Sequence, residues 1–160
     1  MQLDATKKGL ITGAAMIIVS LLIYTYLRNF DNSLQYIVYL IYAVGIFWSI
    51  NGFKKQQEEP VKFGQLFSQG FKCFIVVTLI MVLFTFVFMQ MHPELKEQMS
   101  IAYKAELIKQ GNYTPNEMTT MVAKAKENYV VMLVSMAIFG YLIIGAVATT
   151  ISSVILMKRN

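Results

Sequence analysis

Charged residues divide the chain into four long runs that contain none, 9–27, 32–53, 73–93 and 128–157, holding 19, 22, 21 and 30 residues. A helix needs about 20 apolar residues to cross the hydrocarbon core, so each run is long enough to span. Backbone polar groups in lipid must be satisfied within the segment, which makes helices of these runs. A helix on a soluble core would carry a polar face, and none of the four does. The pattern predicts an all-α fold, a four-helix transmembrane bundle with spans at about 9–27, 34–53, 72–91 and 129–157. No Ser-, Gly- or Pro-rich linker divides it, so residues 1–160 are expected to form a single integral membrane domain.

Two segments outside the runs have patterns of their own. After the polar stretch 56–60, Phe63, Phe67 and Phe71 recur at intervals of four, joined by Leu66 and Phe74, which makes an apolar stripe on a helix. An interfacial amphipathic segment is expected over 61–71, with Lys54, Lys55, Lys62 and Lys72 at the lipid headgroups; a partner-docking surface is the functional alternative. The other segment, 93–128, carries helix punctuation. Pro93 suits a first helical position with Glu94 in the first turn, and Gly111-Asn112 suits a stop. Thr114 and Glu117 then match a capping box, in which the hydroxyl meets a backbone N–H and the glutamate reaches back. With no helix breaker after Pro115, one helix is expected from there to Met157, about 65 Å long and twice the ~30 Å hydrocarbon thickness. A helical hairpin is therefore expected to project outside the membrane between helices 3 and 4.

Composition agrees with lipid as the solvent: 56% of residues are hydrophobic and 14% charged, against about 25% charge in soluble domains. The net charge of +5 does not point to nucleic acid, because the basic residues sit at run ends and in mixed-charge loops instead of along one face. Lys7, Lys8, Lys54, Lys55, Lys62, Lys158 and Arg159 fall on one side, whereas Arg28 is offset by Asp31 and the hairpin lysines are interleaved with five glutamates. Positive residues mark the inner side, so both termini are expected in the cytoplasm. The first run continues through Tyr24 and Tyr26 without a small-residue cleavage pattern, and is expected to stay attached.

Chemistry-bearing residues are sparse. No Asp, Glu, His, Lys or Arg lies inside a span away from a boundary, which weighs against a pump or an intramembrane hydrolase. The single cysteine, Cys73, reads as a small buried hydrophobe, and the single histidine, His92, as part of an interfacial helix entry. No catalytic residue, metal site or cofactor is expected. Gln35, Thr78, Thr85 and Gln90 are expected to make interhelical or interfacial hydrogen bonds. Small residues carry more: Gly9 and Gly13 in the first span, Gly45 and Ser49 in the second, and Gly145, Thr149 and Ser153 in the fourth have the spacing of close helix packing in lipid. Packing within the chain is the simpler reading, ahead of a dimer interface.

The order of Gly9, Gly13, Phe63-Gly64, Phe67, Gly70-Phe71-Lys72, Pro93-Glu94, Thr114-Pro115-Asn116-Glu117, Gly145 and Lys158-Arg159 resembles the bacterial inner-membrane family catalogued as domain of unknown function 4199, over essentially the whole chain. This chain has His92 where the family often has asparagine before the proline. The resemblance implies an architecture and a bacterial inner-membrane location without a reaction, and a setting beside polyprenyl-phosphate glycosyltransferases. Together these readings predict a non-enzymatic accessory or scaffold subunit of an envelope complex. Its partners would be membrane lipids and another membrane protein, or a second copy of itself. A carrier or flippase for a lipid or lipid-linked substrate is the alternative.

Overall fold

The computed structural model describes residues 4–27 and 32–158, apart from the side chains of 27 and 32–35. Arg28, Asp31 and Arg159, and the side chain of Gln35, lie outside the described residues. Five helices make up the described chain: α1 (Ala5–Leu27), α2 (Asn32–Lys54), α3 (Phe63–Met91), α4 (Pro93–Gln110) and α5 (Pro115–Lys158). Four of them, α1, α2, α3 and α5, are long and apolar enough to cross a membrane.

The chain clusters into two compact units, one of residues 1–82 with 138–160 and one of Leu83–Ala137. In the first unit, α1, α2, the first two-thirds of α3 and the last half of α5 bury one face each. On α1 that face is Ala5, Lys8, Gly9, Thr12, Gly13 and Met16, the three-and-four spacing of a helix seam. On α3 it is Leu66, Gly70, Cys73, Phe74, Val77, Thr78 and Met81. The outward faces remain apolar, with Leu40, Leu79 and Phe139 each about 65% exposed. In water such surface would be costly, whereas in hydrocarbon it costs nothing.

No break separates an interfacial segment from the third span, because α3 runs from Phe63 to Met91. It starts at Phe63 because Gln65 accepts a hydrogen bond from the Lys62 N–H at 2.9 Å while its own N–H donates to the Lys62 carbonyl, the return half of a capping box. The expected aromatic stripe divides on the helix. Leu66 and Phe74 face the core, while Phe63 and Phe71 turn outward at 36% and 46% exposure. Phe63, Phe67 and Phe71 keep a row of ring contacts along that outer side, at 5.8 and 6.4 Å between centroids.

The second unit holds the end of α3, all of α4 and the start of α5. His92 is the sole residue between α3 and α4, with Pro93 in the first turn of α4. Gly111 ends that helix at φ 68°, a left-handed conformation that a side chain would strain, and its N–H closes on the Leu107 carbonyl. Glu97 pairs with Lys126 across to α5, so the two helices form an antiparallel hairpin. At the start of α5, the Glu117 N–H donates to Thr114 Oγ1 at 3.4 Å, and the Thr114 N–H donates to Glu117 Oε2 at 2.8 Å.

That capping box has a pH signature. Hydrogen bonds from the Thr114 backbone N–H and then its hydroxyl hold the Glu117 carboxyl below the usual carboxylate range. The folded helix start is therefore favoured above the ordinary glutamate pKa of about 4.3, and this contribution is lost as pH falls through the lower folded value. In an NMR titration the Thr114 amide is expected to shift with a midpoint below about 4.3, and Glu117→Gln to abolish the step. A midpoint at the ordinary value would contradict the arrangement.

Candidate functional site

Every small residue singled out by spacing faces another helix of the first unit. A Cβ on Gly9 would lie 2.9 Å from the Cys73 carbonyl and one on Gly13 3.0 Å from Ile80, so α1 seats its backbone against α3. Gly45 takes the Thr12 side chain of α1 in the same way. On α5, Gly145 accommodates the Tyr42 hydroxyl and the Phe74 ring, and Thr149 lies on Gly70 of α3. Tyr42 is fully buried and joins three helices. Its hydroxyl lies 3.1 Å from the Tyr141 carbonyl, 3.4 Å from the Phe74 carbonyl and 3.3 Å from Thr78 Oγ1. The Tyr141 ring meets it edge-on at 5.8 Å.

Between this node and the Lys54 end of α2, polar groups gather that the core does not satisfy. The hydroxyls of Ser49, Thr149 and Ser153 are buried and have no hydrogen-bond partner. The Cys73 thiol is buried on the face of α3 turned to the same interior. Lys8 is only 6% exposed. Its Nζ lies 5.4 Å from the centre of the Trp48 ring, within cation–π range, and fills the space that a side chain at Gly52 would take. Among the described residues no carboxylate pairs with Lys8, and no acceptor takes its hydrogen bonds.

By position in the sequence Lys7 and Lys8 are equivalent orientation charges. They differ because one residue is about 100° of helix rotation: Lys7 is exposed, and Lys8 falls on the Gly9–Thr12–Gly13 seam. Its distance of four positions from Thr12 was the available signal. Lys54, assigned to headgroups, donates to the Leu156 carbonyl at 2.6 Å. That carbonyl belongs to the last turn of α5, where a helix has spare acceptors and a negative dipole end. Lys55, Lys62 and Lys72 are exposed.

In the second unit, His92 Nδ1 lies 2.6 Å from Glu94 Oε1, and its ring packs 4.4 Å from that of Phe88. A shallow depression of about 370 Å³ is lined by Tyr113, Asn116, Glu117, Thr120, Met121 and Lys124. No group of three His, Cys, Asp or Glu side chains that could hold a metal ion occurs among the described residues.

The sequence matches a known family: the model described as protein of unknown function (DUF4199) covers residues 7–158, nearly the whole chain. The chain belongs to this family. Within DUF4199, then, this member presents a seam of small residues, a tyrosine node and a recessed lysine as its built features. No curated protein and no solved structure matches it.

Proposed function

We propose that this DUF4199 protein is a non-enzymatic accessory or scaffold subunit of a bacterial inner-membrane complex, with both termini cytoplasmic and the α4–α5 hairpin on the outer side. The orientation is supported by the lysines at one set of helix ends, Lys7, Lys8, Lys54, Lys55, Lys62 and Lys158. The observation that carries the scaffold role is on α4, a charged helix outside the predicted spans. Its buried face is Leu95, Ser100 and Leu107, yet Ile101 and Ile108 are 64% and 58% exposed, with exposed Ala105 between them. Residues seven apart share one face, and two open isoleucines there are available to a helix of another envelope protein.

Crosslinking in native membranes followed by pull-down and mass spectrometry tests this role. One envelope protein is expected to be recovered reproducibly, and the Ile101→Glu/Ile108→Glu double variant to reduce its yield about tenfold or more, since each fully buried isoleucine contributes roughly 1.5–3 kcal/mol. Recovery of this chain alone would remove the scaffold role. A second reading, a carrier or flippase for a lipid or lipid-linked substrate beside a polyprenyl-phosphate glycosyltransferase, is supported by Lys8, a cation drawn into the bundle near its basic end.

A further inference from the structure

A lysine with its stem buried and its hydrogen bonds unmade calls for an anion. The dipole end of α2 offsets part of the Lys8 charge, but none of the described residues accepts from its three N–H groups. Its ammonium is not among the fully enclosed atoms that lack a partner. The small exposed remainder of the residue therefore includes the charged tip, which reaches the surface beside Trp48 (41% exposed) and half-buried Gly52. The side chain snorkels along the seam and ends recessed.

The surface leading to that tip is apolar. Trp48 continues an outward stripe of Ile37, Leu40 and Val44, exposed by 45%, 64% and 59% and spaced by three and four. From Gly52 back to Leu40 the helix rises about 18 Å, close to the depth of one leaflet, about 15 Å. Phosphate at the tip and hydrocarbon along the stripe is the shape of a phospholipid. We propose that Lys8 is the phosphate-binding point of a site for one anionic phospholipid, with Trp48 beside the headgroup and an acyl chain lying along Val44 and Leu40. Free phosphate shares the oxyanion chemistry but has no use for the stripe. The site deepens the lipid-handling reading and rests on its placement of this end in a leaflet.

Trp48 is the only tryptophan in the chain, so its fluorescence reports the site directly. The full-length protein is reconstituted in phosphatidylcholine bilayers, with brominated phosphatidylglycerol or brominated phosphatidylcholine added as quencher. Wild type is expected to prefer the anionic lipid about tenfold, as charge-assisted hydrogen bonds to a recessed cation imply. Lys8→Gln is expected to lose most of that preference. Lys7→Gln removes the same charge from an exposed position and is expected to retain it.

Equal quenching of wild type by the two lipids overturns the site without any variant having to fold. So does an equal loss in Lys7→Gln and Lys8→Gln, which would mean general attraction to a basic surface. Inorganic phosphate is not expected to displace the brominated anionic lipid; displacement at low millimolar concentration would make the ligand a free anion and overturn the lipid assignment. Movement of a fluorescent lipid across proteoliposomes reports the carrier reading separately. Selective quenching without movement leaves the site standing and removes the carrier, and movement with unselective quenching does the reverse.

Discussion

Gly145→Ala is expected to destabilise the bundle by about 2 kcal/mol, measured as unfolding free energy in mixed detergent and denaturing surfactant. Alanine is the better helix former by roughly 1 kcal/mol, so helix propensity favours the substitution. Packing opposes it: the new Cβ would meet the Tyr42 hydroxyl and lie 2.8 Å from Phe74 Cγ, the fixed root of a ring. Overpacking a filled core costs about 1–3 kcal/mol, and a contact against an atom that cannot swing away belongs at the upper end. Gly140, on the same helix, has open space where its Cβ would be. Gly140→Ala should therefore be neutral or stabilising by up to about 1 kcal/mol. On a Tyr42→Phe background one clashing atom is gone, so the cost of Gly145→Ala is expected to fall by about 1 kcal/mol, as sites in contact couple. Equal costs for Gly140→Ala and Gly145→Ala would show that α5 does not pack against α2 and α3 through Gly145.

Thr149→Val should stabilise the protein by about 1 kcal/mol in the same assay, and Ser153→Ala should move it the same way. Removing a polar atom from a core usually costs stability because its partner is left behind. Here the hydroxyls of Thr149 and Ser153 are fully buried without partners, so each bears its desolvation cost with no return bond. Thr149 also packs its methyl group toward Gly70, a contact that valine keeps. A loss of stability in Thr149→Val would mean that its hydroxyl is bonded in the membrane, and would make the interior around Ser49, Thr149 and Ser153 a hydrated one.

Much of the architecture was legible because its causes act locally along the chain. The single long helix after Pro115 was expected from the missing breaker, and α5 spans Pro115–Lys158. The stop at Gly111 and the Thr114–Glu117 cap follow from residue chemistry within a few positions, and both are present. Where the expectation differed, a longer-range fact prevailed. The aromatic stripe at 63–71 has interfacial spacing, yet Leu66 and Phe74 turn to the core because α3 continues unbroken past Lys72 into the bundle. The fate of Lys54 depended on where the last turn of α5 would lie, 102 positions away in sequence.

The lysine pair at the chain's start marks the boundary between the two kinds of knowledge. Hydropathy and charge alone decided that there are four helices suited to hydrocarbon and where their polar ends fall, because transfer from water to lipid depends on composition over about 20 residues and needs no partner. Which of Lys7 and Lys8 would be buried, that Trp48 and Gly52 would receive it, and that three hydroxyls would be enclosed without bonds depended on the rotation and neighbours of each helix. Side-chain contacts between helices are set by geometry over a few ångströms, and only the assembled bundle specifies it.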